Sequence, residues 1–266
     1  MLAEAIAPDS RRLTGRIDTA SLRLAWSEAP WDSRLFGIPI LQITEMVLTD
    51  PDAARTEIIP FLVARDQSGS YLVSCRLPHD RLQESFLLEE IGFRFIDMAY
   101  QPEILLAYSP SPATGLNVTL AGNADLAEIL EIAGTAFGNE RFHIDPRLSS
   151  DLGNVRYQNW VRSSLDHPSQ RLYAIREGAH IVAFFITEDQ ADGTCYWHLT
   201  AVAPGFQGQG FGRRTWEAMM AEARQRGCRR IQTCIVARNH RVLNLYARLG
   251  FHFPPPLTTF HWVRSR

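Results

Sequence analysis

No apolar run in the 266-residue sequence approaches the roughly 20 residues needed to cross a bilayer, so no membrane partner is expected. Nor is there an excess of one charge: 27 Lys+Arg stand against 29 Asp+Glu, a net charge of -2. That balance excludes the basic footprint of a nucleic-acid binder. Cysteine is scarce, and Cys75, Cys195, Cys228 and Cys234 form no CxxC pair. Such scattered thiols make no disulfide scaffold and are expected as small buried hydrophobes in a reducing compartment. The opening MLAEAIAPDSRRL places its basic pair after the apolar residues, the reverse of a secretory signal, and a cytoplasmic setting is expected. What remains is ordinary globular composition, 45% hydrophobic and 21% charged. The length suits one large domain or two small ones.

Periodicity breaks most clearly at YSPSPATGLN, which predicts a linker over 108–117 between a domain at 1–107 and one at 118–266. In the first, strands are expected at 38–43 and 71–76 and after Gly92, with helices at 53–64 and 83–90. In the second, a strand at 118–120 and helices at 125–136 and 155–165, Asn123 capping the first, precede strands at 172–176, 180–187 and 195–202. A helix over 210–225, a strand over 231–236, a helix over 238–249 and a strand from Phe251 follow. This order makes an α/β fold. EIGFRF at 90–95 echoes RLGFHF at 248–253, so the halves read as related units, but only the second carries a glycine-rich turn.

That turn lies in LTAVAPGFQGQGFGRR, residues 199–214. Alternating glycines clear side chains from backbone N–H groups, and the helix behind them directs its positive end at the same spot. Arg213 and Arg214 add charge nearby. This is the design of a pyrophosphate cradle. No Gly-Lys-Ser/Thr is present and the glycines lack G-x-G-x-x-G spacing, which excludes a P-loop and disfavours a dinucleotide fold.

A second pattern follows: Asn239, Val242 and Tyr246 fall along one helical stripe that ends at Gly250-Phe251. The two patterns together resemble motifs A and B of the GCN5-related N-acetyltransferase (GNAT) family. The resemblance implies a mixed, mostly antiparallel sheet flanked by helices, preceded here by a smaller, partial copy. It implies acetyl-CoA as co-substrate, held by Thr200, Ala201, Val202, Gln207, Gly208, Gln209, Gly210, Gly212, Arg213 and Asn239. It also implies Tyr246 as general acid for the departing thiolate, since a phenol with a pKa of about 10 stays protonated at neutral pH. His198, one strand-face step before Thr200, is the base expected to take the amine's proton, with Glu188 as the other candidate.

RFHIDP at 141–146 followed by Tyr157 and Trp160, with WDSRLFG at 31–37, resembles the TDP-fucosamine acetyltransferase branch. That implies an acceptor amine on a nucleotide-linked dideoxyaminosugar, contacted by Arg141, Phe142, His143 and Trp160. Arg141 suits a diphosphate, and the aromatic rings suit stacking on a sugar or base. Another small amine, a protein N-terminus, or a sensor that binds acetyl-CoA without turnover are the alternatives. No metal is expected, because the His-x-Asp pair lacks a third ligand at useful spacing. A homodimer is compatible with the sequence.

Overall fold

The computed structural model describes residues 13–106 and 114–264, and the chain divides into two compact units. One is Met1–Met98 with Leu257–Arg266, and the other is Ala99–Pro256. Residues 108–113 of the expected linker lie outside the described residues. The division differs from a second domain running over 118–266. The strand expected from Phe251 is reduced to one bridge, His252 to Glu103. The cause is local: Pro254, Pro255 and Pro256 have no N–H to extend a ladder. Beyond them the chain forms a strand of the first unit.

That unit holds β1 (Gly15–Asp18), β2 (Leu22–Glu28), α1 (Pro30–Phe36), β3 (Ile40–Leu48), α2 (Pro51–Glu57), α3 (Ile59–Gln67), β4 (Leu72–Pro78), α4 (Leu82–Glu90) and, up to Met98, β5 (Arg94–Tyr100). The last strand of the chain, β13 (Leu257–Val263), pairs antiparallel with β4, giving the order β1-β2-β3-β4-β13-β5. Alternation sets β2 in place, with Leu22, Leu24 and Trp26 turned into the core. The single helix expected over 53–64 is two, because Pro60 cannot donate across Ile58. Within the WDSRLFG stretch, Ser33 Oγ accepts from Ile40 N–H at 2.9 Å and Gly37 caps α1 at φ 69°, both structural roles.

The second unit contains β6 (Glu103–Leu105), β7 (Asn117–Leu120), α5 (Leu126–Ala136), α6 (Arg141–Ile144), α7 (Ser150–Ser164), β8 (Gln170–Glu177), β9 (His180–Asp189) and β10 (Thr194–Val202). It continues with α8 (Phe211–Gln225), β11 (Arg230–Thr233), β12 (Ile235–Val236) and α9 (His240–Arg248). Its sheet runs β6-β11-β10-β9-β8-β7, antiparallel except for β10 with β11. Trp197, Trp216, Met219, Tyr246 and Phe251 pack together in one cluster, while Ile129, Tyr157, Val161, Phe184 and Leu199 make another. The N-cap position of the first helix is Asp125 rather than Asn123, and Asp125 Oδ2 accepts from Gly122 N–H, ahead of the helix, at 2.9 Å.

The echo between the halves is structural. Each unit has a parallel pair, β3 with β4 in one and β10 with β11 in the other. In each, the residue after the last parallel pair is a bulge, Thr44 in β3 and His198 in β10. Both α4 and α9 end in the same turn: Phe93 N–H reaches Leu88 O at 2.9 Å, and Phe251 N–H reaches Tyr246 O at 3.0 Å. Gly92 and Gly250 supply the left-handed residue, with φ of 93° and 84°. By this correspondence Leu88 occupies the place of Tyr246, so the first unit has no phenol there.

Its equivalent of the cradle is closed by its own carboxylates. Beyond the bulge, Leu48 turns its N–H away from β2, and Glu84 Oε1 of α4 accepts it at 3.1 Å. At the start of α2, Asp50 Oδ1 accepts from Asp52 and Ala53 N–H at 3.0 and 3.2 Å. An acyl-CoA would meet two negative groups already holding the donors it needs. The expected stoichiometry is therefore one acetyl-CoA per chain by calorimetric titration. Two equivalents would show that the first unit keeps a working cradle.

Candidate active site

Pairing of β10 with β11 stops at Trp197 and Thr233, after which β12 pairs instead with Tyr100 and Ala99. Among the described residues, the rest of β10, through Val202, thus has β9 on one edge and no strand on the other. Ala203 N–H donates to Val182 O at 2.9 Å, which fixes the alternation of the antiparallel ladder. Leu199 and Ala201 spend their backbone groups on β9, whereas Thr200 and Val202 point theirs to the open edge. Ala201, expected among the cofactor contacts, is corrected on that ground: its backbone is committed to the ladder and its side chain is buried. The Val202 carbonyl is taken by Gln207 Nε2 at 3.0 Å, and Arg241 holds Gln207 Oε1 at 2.8 Å. Gln207 therefore braces the edge with its side chain. The N–H of Val202 stays turned outward.

From this edge the chain enters the glycine turn. Gly208 and Gly210 have φ of 78° and 85°, a region L side chains avoid. A Cβ built on Gly205, Gly208 or Gly210 would find no atom within 4 Å. The glycines therefore leave space rather than accommodate a neighbour. Gly212 differs, since its Cβ would lie 3.4 Å from Leu245, so it serves the packing of α8 on α9. Gly210 caps α8 without a side-chain acceptor, leaving the first-turn N–H groups for an anion. Gln209 Nε2 closes the turn on Gly205 O at 2.7 Å. Arg213 lies exposed at the entrance, bonded to Glu217 at 2.8 Å. Arg214 turns to Glu177 and the Thr114 carbonyl instead. Asn239 caps α9, its Oδ1 accepting from Val242 N–H at 3.3 Å.

Tyr246 is 1% exposed, its ring is 6.2 Å from that of Trp216, and the side chains of Thr233 and Thr200 lie near its hydroxyl. Burial pushes its pKa above the ordinary phenol value, so at neutral pH it is a proton donor. Its place beside Thr200 puts that donor at the open edge of β10.

On the bulge, His198 Nε2 lies 2.8 Å from Glu188 Oε2, so both groups expected as bases form one pair. The Ser169 hydroxyl first, then His198, holds the Glu188 carboxyl below its usual range. An ionised carboxylate only accepts, so this hydrogen bond needs the proton of His198 on Nε2. The Trp160 ring is 5.7 Å from that imidazole, and Trp160 Nε1 donates to Gln170 Oε1 at 3.2 Å.

The remaining acceptor expectations divide. Phe142 is 2% exposed and is a core residue under two guanidinium groups, Arg141 at 4.9 Å and Arg156 at 4.7 Å. It offers no face for stacking. His143 packs on Tyr157 at 5.9 Å, its Nε2 is 2.9 Å from Asn154 Oδ1, and a Cβ at Gly153 would strike its ring at 2.6 Å. It is a packing residue, and Gly153 is small to admit it.

Asp189, Cys195 and Cys228 place ligand-type atoms within 4.8 Å of one another. Arg226 already donates to Asp189 at 3.0 Å and to Cys195 Sγ at 3.3 Å, and burial pushes the Cys195 thiol up to about 12. A guanidinium among protonated thiols is no setting for a cation.

Residues 126–251 match the model of the acetyltransferase (GNAT) family. The chain is 19% identical over 233 residues to the spore coat polysaccharide biosynthesis protein SpsD of Bacillus subtilis strain 168, covering 86% of this chain and 79% of that one. In fold it resembles a GCN5-related N-acetyltransferase from Sphaerobacter thermophilus, with a TM-score of 0.62 and 16% identity over 90% of this chain and 76% of the other. A tandem GNAT protein from the clavulanic acid biosynthesis pathway gives a TM-score of 0.57 and 12% identity over 92% and 79%. The matched segment runs from α5 through the glycine turn to Phe251, so the second unit carries a GNAT acetyltransferase domain. The matched domain is that of an acyltransferase family whose co-substrate is acetyl-CoA.

Proposed function

We propose that the protein transfers the acetyl group of acetyl-CoA to a primary amine, the 4-amino group of a nucleotide-linked dideoxyaminosugar. The observation that carries the acetyl-CoA part is the open edge of β10 leading into an unfilled glycine turn. In this reading the outward N–H groups of Thr200 and Val202 orient the acyl-pantetheine arm as an added strand would, and the first turn of α8 holds the diphosphate. Bound acetyl-CoA supplies the activated acyl group. His198 takes the amine's proton on Nδ1, the ionised Glu188 steadying the charge that develops. Tyr246 returns a proton to the leaving sulfur.

The sugar acceptor is supported by the likeness to a polysaccharide biosynthesis protein and by the half-buried Trp160 beside His198. A sensor without turnover is disfavoured, because a binder has no use for a buried phenol at the acyl end of the cradle. The reading is tested by offering nucleotide-linked 4-amino sugars, unlinked aminosugars and N-terminal peptides with acetyl-CoA while following free thiol release. Acetylation of peptides alone would refute the sugar assignment. His198→Gln is expected to lower kcat/KM by about 10²-fold with the Kd for acetyl-CoA unchanged. Full activity in that variant would transfer the base role to water.

A further inference from the structure

Resting on the aminosugar reading of the acceptor, we infer that Arg156 is a specificity residue for a phosphate group carried one sugar ring away from the acetylated amine. Arg156 and Trp160 are one helical turn apart on α7, so they share a face. The Arg156 guanidinium carbon lies 5.5 Å from the centre of the Trp160 ring, 5.6 Å from that of Tyr157 and 4.7 Å from that of Phe142. Trp160 also meets His198, 5.7 Å between ring centres. In order of contact the wall therefore reads proton acceptor, flat indole, cation.

A pyranose fits that order in one sense. With its amine at His198, the apolar face of the ring lies along Trp160, and the substituent across the ring from the amine reaches Arg156. On a nucleotide-linked sugar that substituent is the diphosphate. A guanidinium binds phosphate through paired N–H donors, and aromatic packing fixes the fork's orientation. Arg141, whose guanidinium carbon is 4.9 Å from the Phe142 ring centre, adds a second positive charge beside the first. Phe142 thus contributes as the floor beneath both cations. A peptide N-terminus has no anion at that distance, so the same wall discriminates against it.

The test separates this site from the acetyl-CoA cradle by filling the cradle first. Enzyme saturated with coenzyme A is titrated with thymidine 5′-diphosphate, and the titration is repeated on Arg156→Gln and Arg156→Lys. Charge-assisted bonds of about 1.5–3 kcal/mol predict that Arg156→Gln weakens this binding by about 10- to 100-fold. Affinity for acetyl-CoA should not move. Arg156→Lys, which keeps the charge and loses the fork, should fall between, and it decides the matter if the Gln variant fails to fold. In turnover, Arg156→Gln should raise KM for the nucleotide-linked aminosugar by a similar factor while leaving an unlinked aminosugar unaffected. No nucleotide binding to the coenzyme A-loaded parent, or equal binding by parent and variants, overturns the inference. If unlinked aminosugars are acetylated in that case, the aminosugar reading survives alone. Nucleotide binding that depends on Arg156 without acetylation of any sugar would keep the phosphate site and refute the acceptor.

Discussion

Gly210→Glu is expected to abolish acetyl-CoA binding while leaving the protein folded. Gly210 caps α8 at φ 85°, and a Cβ there meets nothing within 4 Å. The new side chain therefore has room, and its cost to folding is the left-handed backbone, about 1–2 kcal/mol for an L residue. A carboxylate at a helix N-terminus recovers about 0.3–1 kcal/mol of that from the dipole. The same preference ruins binding. The carboxylate takes the first-turn N–H groups of α8, as Asp50 does at the start of α2 in the first unit. It also repels the diphosphate: two like charges about 4 Å apart cost about 4 kcal/mol at an effective dielectric near 20, nearly three orders of magnitude in Kd. Gly210→Ala supplies the control, since it imposes the same strain without the charge. Calorimetry in which Glu and Ala variants bind acetyl-CoA alike would show that this turn does not hold the diphosphate.

The sequence made the cradle legible because its devices are local. Glycines at fixed spacing before an amphipathic helix, and an asparagine cap with a tyrosine two turns later, mark their elements without reference to anything distant. The long strands of the second unit were equally readable, since long apolar runs between Leu172 and Val202 are separated by turns at Gly178 and Gly193, both at positive φ. What could not be read depends on partners far along the chain. No local pattern says that Leu257–Val263 pairs with Leu72–Pro78. A three-residue strand such as Glu103–Leu105 carries too little periodicity to be seen. The acceptor side failed for a related reason. RFHIDP looks exposed and polar, yet Phe142 and Asp145 are buried, and only the packing of α6 against α7 decides which residues are turned inward. Pairing of His198 with Glu188 follows from the bulge, which shifts the register by one residue and brings two separately suspected groups together.

Tyr246→Phe is expected to lower kcat by about 10²–10⁴-fold with little change in the Kd for acetyl-CoA. The ring stays: its edge contacts with Phe251, 4.7 Å between centroids, and with Trp216, at 6.2 Å, do not involve the hydroxyl. Only the proton donor facing Thr200 is lost. An effect on kcat and kcat/KM without one on binding marks an interaction made in the transition state. Two further signs distinguish a lost acid from a disturbed core. The deficit should shrink with an acyl donor whose thiol is more acidic, because its thiolate leaves with less help. Because burial raises the phenol's pKa, the parent enzyme should also keep its activity as pH rises through the range below 10, while the variant, slower throughout, should lack the parent's fall at higher pH. A Phe variant as active as the parent would return Tyr246 to the core as a packing residue, with water protonating the leaving sulfur. The cradle assignment would be untouched, since it rests on Gly208, Gly210 and the open edge of β10 alone.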